Sequence, residues 1–323
     1  MKNKFFIGVD VGGTKIAAAL MTDDGTIIIR NKVSTPPFAH ASSIYKTIAS
    51  LIDDLIIREK IKKKNLAGIG LGVPGIVNAK ENKIVMTPNI SLTAFPLAKK
   101  LKAKFHAPIG LENDVNCGLL GEQWLGAGKN VKNLVGIFPG TGVGGAIIIN
   151  GKLYTGHQGA AGEIGHMIVD LNGPPCGCGN RGCLEATTSR WAIERDIRQR
   201  IKQGKNTIIR KLVTRDLTTI KSKTLREALD KKDPLVTEVM QNAARVLGTA
   251  CVSLNHIFNP EMIILGGGVI EACGSFIIPI VKRIVAADPF FKNLKTCQIL
   301  PSQLADDAVI LGAAALFKDK KKS

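Results

Sequence analysis

Three cysteines fall within eight residues of the stretch "PPCGCGNRGCLE": Cys176, Cys178 and Cys183. Three thiolates in one tight loop form a metal-binding pattern, and zinc in structural sites takes four ligands. His166, ten residues before Cys176 in "GEIGHMIVD", is the fourth candidate. His157 competes for the place, less favourably, because a Gly/Ala-rich segment separates it from the loop. No C-x-x-C pair is present, which argues against a redox centre. Four protein ligands fill a tetrahedron, so this metal would be structural, with no open position for water. Glu163 and Glu185 flank the loop. Paired acids beside a cleft can accept hydrogen bonds from a polyol; the plain alternative is ordinary surface carboxylates.

Two glycine turns carry a second kind of chemistry. "DVGGTK" holds Gly12, Gly13, Thr14 and Lys15, and "GTGVGG" holds Gly140, Thr141, Gly142, Gly144 and Gly145. The second matches G-x-G-x-x-G, but a strand-like "AIIIN" follows where a dinucleotide fold needs a helix. Gly121 and Gly126 have P-loop spacing, but Ala127 and Gly128 stand where Lys and Ser/Thr are required. Turns without side chains still let backbone N–H groups converge on an anion, and a Thr hydroxyl adds a donor. Two such turns could clasp a polyphosphate. Asp10, at a strand end, then suits a magnesium ion riding on that phosphate through water, and Lys15 adds charge. "LGGG", with Gly266 and Gly267, is a third site of close approach. In "LENDVN", Asp114 is the general-base candidate for a hydroxyl nucleophile. Either Asn113 or Asp114 also suits the N-cap of the helix that follows.

These residues must be positioned by alternating strands and helices. The first thirty-odd residues read as three strands divided by "VGG" and by a "DDG" turn. "SSIYKTIASLIDDLIIREK" has helical apolar spacing, with Ser42 or Ser43 as N-cap. "AGIGLGVPGIV", "APIGLEND", "LVGIFPG", "GGAIIIN" and "EMIILGGG" read as strands, and "VNCGLLGEQWLG", the region 190–257 and "DDAVILGAAALF" as helices. "VDVGGTKIAAAL" and "IFPGTGVGGAII" repeat a strand–turn–strand unit at an interval of about 130 residues. Such a duplication implies two related α/β halves facing each other across a cleft. The expected division is 1–112 and 113–304, with the final helix, in 305–323, returning to the first domain.

The 323 residues carry a net charge of +18 and seven cysteines. The basic runs "REKIKKK" (58–64) and "KDKKKS" (318–323) lack interleaved aromatics, which argues for solvated surface rather than nucleic-acid stacking. The first run is expected to close a helix, where cations are favoured. No segment has the length and apolarity of a membrane span, and "MKNKFFIGVD" is not a signal peptide because Asp10 cuts its apolar run. The expected location is the cytosol. There Cys117, Cys251, Cys273 and Cys297 would be buried small apolar residues.

With these residues in hand, the chain resembles the ROK family of sugar kinases and repressors. "GTGVGG", "GEIGH" and "CGCGNRGCLE" occur in that family's order and spacing, and the likeness runs from "DVGGTK" to "LGGG". The resemblance implies an actin-like ATPase fold of two ribonuclease H-like domains, a homodimer, and ATP-dependent phosphorylation of a hexose, normally at the 6-hydroxyl. It implies Asp114 as the base, and Asn113, Glu163, His166 and Glu185 as sugar contacts. The two glycine turns would be the ATP phosphate motifs, and His166, Cys176, Cys178 and Cys183 the zinc set. His166 would then serve metal and sugar through its two ring nitrogens. Two positions depart from the family. No Trp follows "PN" at residues 88–89, where its glucose kinases often carry one, and Pro139 precedes the second phosphate turn. Glucose is the first substrate expected; fructose, mannose, N-acetylmannosamine and N-acetylglucosamine are alternatives. The reading from another class is a sugar-responsive repressor, for which "DVGG" at residue 10 leaves no room ahead for a DNA-binding helix-turn-helix.

Overall fold

The computed structural model describes residues 4–36, 40–88, 90–213, 217, 219–294 and 297–318. Contacts divide the chain into two units, one of Met1–Asn130, Leu153–Ala161 and Asp306–Ser323, the other of Val131–Lys152 and Gly162–Ala305.

In the first unit, β1 (Phe5–Val11), β2 (Lys15–Thr22) and β3 (Ile27–Ser34) form an antiparallel meander. Then come α1 (Ala41–Arg58), β4 (Leu66–Val73), a small hairpin of β5 (Ile76–Asn78) and β6 (Lys83–Met86), α2 (Leu97–Phe105), β7 (Ile109–Asn113) and α3 (Asp114–Leu125). The sheet order is β3-β2-β1-β4-β7, with β4 parallel to β1 and β7 parallel to β4. The inner strands β1 and β4 are buried on both faces and read as continuous apolar runs. The edge strand β3 alternates instead, placing Arg30 and Lys32 outward. α1 buries Ile44, Ile48, Leu51, Ile52 and Leu55, one stripe at helical spacing.

The second unit repeats the plan. β8 (Leu134–Pro139), β9 (Val143–Ile149) and β10 (Lys152–Leu153) are followed by α4 (Glu185–Thr188), α5 (Arg190–Lys202), α6 (Ile209–Leu212), α7 (Ser222–Asp230) and α8 (Pro234–Phe258). β11 (Met262–Leu265), α9 (Gly268–Ala286) and β12 (Gln298–Pro301) complete it. Its sheet order, β10-β9-β8-β11-β12, matches that of the first unit position for position. α8 begins as its sequence dictates: Pro234 takes the first turn and Asp233 accepts from the Val236 N–H at 2.9 Å.

The chain then returns to the first unit as α10 (Ala308–Ala315), packed on α3, β1 and β4. This helix lies close because glycines face it. A Cβ on Gly8 or Gly70 would strike the carbonyls of Ile310 or Ala313, and one on Gly312 would strike the Cys117 carbonyl of α3. The grip of α10 also keeps α3 in the first unit. The contact division therefore falls after Asn130, not at residue 112, and between Ala305 and Asp306 at the far end.

Local departures have physical reasons. α1 is preceded by His40 as its N-cap, with no side-chain capping bond, so Ser42 and Ser43 lie inside the first turn. α1 ends at Arg58 and the lysines of 60–64 follow it, so only Arg58 faces the helix's negative end. Of the tail run, residues 319–323 lie outside the described residues. Cys117, Cys251, Cys273 and Cys297 are buried and unpaired by disulfides, as expected. No helix among the described residues is long and apolar enough to cross a membrane.

Candidate functional site

In the first unit the site begins where β1 turns into β2. The Gly12 N–H donates to the Lys15 carbonyl at 2.9 Å, closing the turn. From behind, Thr35 donates its hydroxyl to the Gly12 carbonyl (2.6 Å) and its N–H to the Thr14 carbonyl (2.9 Å). Gly13 and Thr14 at the tip are exposed. Lys15 is not unattached at this turn: its Nζ lies 3.0 Å from Asp306 Oδ2.

Asp10 lies beside this turn, in register with Gly72 of β4, which in turn pairs with Glu112 of β7. Because Gly72 has no side chain, the Asp114 Cα comes within 3.3 Å of where its Cβ would stand. Asp10 and Asp114 are therefore gathered at the carboxyl ends of parallel strands, the usual ligand side of such a sheet. Burial, and next the negative charge of Asp114, push the Asp10 carboxyl up to about 6 from 3.8; Asp306 adds to the rise and Lys15 opposes it. Carboxylate oxygens are the donors that magnesium takes, and Asp10 and Asp114 bring two carboxylates into electrostatic contact here.

The capping question at β7–α3 resolves in favour of Asn113. Its Oδ1 accepts from the Val115 and Asn116 N–H groups at 2.8 and 3.1 Å, and its Nδ2 donates to the Gly75 carbonyl at 2.9 Å. Asp114, the first residue of α3, takes only its neighbour Val115 N–H on Oδ1 at 2.9 Å among these capping bonds. Beneath them Glu112 is 2% exposed and holds the Asn113 N–H and Asn116 Nδ2 at 2.8 and 3.0 Å. Burial raises its carboxyl, and those two bonds temper the rise.

In the second unit the turn between β8 and β9 closes with the Gly140 N–H donating to the Gly142 carbonyl at 2.8 Å. A Cβ on Gly140 would meet no atom within 4 Å, so this side of the turn is open. A Cβ on Gly142 would meet Glu185 Oε2, so that carboxylate would have to move aside to admit one. That oxygen accepts from the Val143 N–H at 2.8 Å. Gly144 and Gly145 continue into β9, where Gly145 faces the Gly162 carbonyl. Gly266 packs on the Phe138 ring, and Gly267, at φ +77°, abuts the Pro139 carbonyl and caps α9. Pro139 thus has a physical account: β11 pairs with β8 only as far as Ile137, so the missing N–H of Pro139 costs that ladder nothing.

His166 ends a 3-10 turn, Ile164–His166, that lies on β9 with Gly165 against the Val143 carbonyl. Glu163 precedes this turn with its side chain exposed. The Cys loop is tied to the same segment by the Ile168–Cys183 bridge and by the Leu184 N–H donating to the Met167 carbonyl at 2.9 Å. As a result, ligand atoms of His166, Cys176, Cys178 and Cys183 all lie within 4.8 Å of one another. Cys178 and Cys183 Sγ are 3.7 Å apart, as are Cys176 Sγ and His166 Nδ1. A zinc tetrahedron with its usual metal–sulfur bond has an edge of about 3.8 Å, so the four donors fit that ion. Burial raises the Cys176 thiol and pushes Cys183 up to about 12, whereas the Asn180 N–H lowers Cys178. A cation bound here would displace thiol protons. His157 is exposed and outside this group.

Three participants carry no clear sequence signal. Asp306 is 291 positions from its partner Lys15. Arg190 bonds Thr141 across 49 positions. Gly268, the last residue of LGGG, starts the 19-residue α9, which the glycines and an internal Pro279 hide from a periodicity reading.

The ROK family profile matches residues 6–320. A glucokinase of Halalkalibacterium halodurans is 34% identical over 100% of this chain and 98% of its own length. The crystal structure of a ROK family glucokinase from Streptomyces griseus, in complex with glucose and AMPPNP, superposes with a TM-score of 0.81. It is 33% identical, over 97% of this chain and 98% of that one. The xylose repressor of Bacillus subtilis is 31% identical over 98% of this chain and 78% of its own length. The two matching sheets are thus those of the actin-like ATPase fold, and the chain belongs to the ROK family.

Proposed function

We propose that this protein is an ATP-dependent hexose kinase that phosphorylates the 6-hydroxyl of glucose, with Asp114 as general base. The observation that carries the reading is Asp114 itself. It stands at the carboxyl end of β7, relieved of the capping role by Asn113 and near the buried Asp10. A carboxylate so placed can orient a sugar hydroxyl and take its proton as the O–P bond forms.

The remaining assignments are made unit by unit. In the first, Gly12, Gly13, Thr14 and Lys15 receive phosphate, and Asp10 holds magnesium through water. That ion would neutralise charge on the transferring phosphoryl group. In the second, Gly140, Thr141, Gly142, Gly144 and Gly145 receive phosphate, with Gly266 and Gly267 allowing the nucleotide close approach. Asn113, Glu163, His166 and Glu185 hold the sugar. Zinc on His166, Cys176, Cys178 and Cys183 would be structural, fixing the loop from which Glu185 extends. With Nδ1 turned to the cysteines, His166 would contact sugar through Nε2. The proposed working form is a cytosolic homodimer.

ADP release measured with ATP and a panel of glucose, fructose, mannose, N-acetylmannosamine and N-acetylglucosamine tests this. The expected outcome is the highest kcat/KM for glucose. No ADP release on any sugar, together with salt-sensitive binding to duplex DNA, would replace the kinase with a repressor.

A further inference from the structure

Thr141 stands at the tip of the β8–β9 turn, and its hydroxyl is held from behind. Arg190 Nη2 lies 3.0 Å from Thr141 Oγ1. The Arg190 backbone N–H donates to the Gly140 carbonyl at 2.9 Å. A guanidinium has donors only, so the Thr141 oxygen accepts this bond through a lone pair. A hydroxyl has one proton to give. With Arg190 fixed as its donor, that proton is left to point at another acceptor, and the adjoining positive charge strengthens the bond it gives.

The guanidinium is itself locked. Its Nη1 lies 2.6 Å from Glu194 Oε1, one helical turn further along α5. The Glu194 side chain is 5% exposed, and its other oxygen takes Arg198 Nη2 at 2.7 Å. The planar fork therefore gives one arm to Glu194 and the other to Thr141, a division that a lysine ammonium would not reproduce. Together with Glu185 on the Val143 N–H, these bonds fix the rear of the turn at Gly140, Thr141 and Val143. The side at Gly140 is open.

We infer that Arg190, locked by Glu194, is a positioning residue for the phosphoryl donor: it sets the Thr141 hydroxyl as a hydrogen-bond donor to a polyphosphate at this turn. The inference rests on the kinase reading for its role in turnover, but the anion site can be tested without it.

The test is a double-mutant cycle of Arg190→Gln and Thr141→Ala. In kinase assays Arg190→Gln is expected to raise the KM for ATP about tenfold, the loss of one charge-assisted bond. The dissociation constant for glucose and the zinc content should stay at wild-type values, while the melting temperature falls, because the buried Glu194 loses one of its two partners. In the Thr141→Ala background the same change should alter the KM for ATP by less than about twofold, because Arg190 acts through Thr141. An equal tenfold loss in both backgrounds, or lost glucose binding, would overturn the inference. Arg190→Lys should recover only part of the affinity, and full recovery would argue against the fork. Should the wild type show no kinase activity, calorimetry with inorganic tripolyphosphate decides the matter separately. Binding that weakens about tenfold in Arg190→Gln supports the site, and equal binding or none overturns it.

Discussion

Replacing Asp10 with Asn should make this protein more stable and less active. The buried carboxyl sits near Asp114 and is pushed up to about 6 from 3.8. Between these values the native state holds a proton that the unfolded chain has released. Stability therefore falls as pH rises through that window, and the cost is complete above about 6. Linkage puts the cost of ionised Asp10 at about 3 kcal/mol at pH 8 and about 1 kcal/mol at pH 4.5. Asn is neutral at both pH values and escapes both. For a unit of this size, Asp10→Asn should raise Tm by about 6–12 °C at pH 8 and about 2–4 °C at pH 4.5. Thermal melts without nucleotide or added magnesium read this directly. The difference between the two pH values matters most, because any packing penalty of the amide is the same at both. An equal shift at both, or none at pH 8, would refute the account of Asp10 as a carboxylate made costly by burial and by Asp114. Magnesium and ATP should narrow the gap, since they bind wild type better than Asp10→Asn.

Other outcomes follow from the same geometry. Cys178→Ser should lose most of its zinc, measured by elemental analysis, and raise the KM for glucose, because the loop that carries Glu185 loses an anchor. Full metal content with unchanged kinetics would contradict the zinc assignment. Gly142→Ala should raise the KM for ATP, since its Cβ displaces Glu185 from the Val143 N–H; steady-state kinetics check it. Gly312→Ala should destabilise by about 2 kcal/mol or more in urea melts, because the methyl meets the Cys117 carbonyl across the α3–α10 contact.

Much of this was legible in the sequence because it is local. The β1–β2–β3 meander follows from apolar runs and turn glycines, and its copy at β8–β9 revealed the duplication that the two sheet orders now display. The grouping of His166, Cys176, Cys178 and Cys183 is legible for the same reason: three of its four residues lie in one loop. α2 gives little signal, because "LAKKLKAKF" starts after Pro96 with no capping side chain. α9 is obscured in the sequence, because glycines open it and Pro279 interrupts it. Asn113 and Asp114 are equivalent as caps in sequence, and only the hydrogen bonds separate them. Pairings such as Lys15 with Asp306, or Glu185 with Val143, depend on how distant strands come together. No spacing rule reaches them.

The central claim is that Asp114 takes the proton from a sugar hydroxyl that receives phosphate from ATP. Phosphorus NMR of a mixture of enzyme, ATP, magnesium and glucose tests it most directly, with Asp114→Asn run beside the wild type. The account predicts equal amounts of ADP and glucose 6-phosphate from wild type. It predicts a rate about 10²–10⁴ lower from Asp114→Asn, with glucose binding retained. Near-wild-type turnover by Asp114→Asn, or no phosphosugar from wild type, would contradict it.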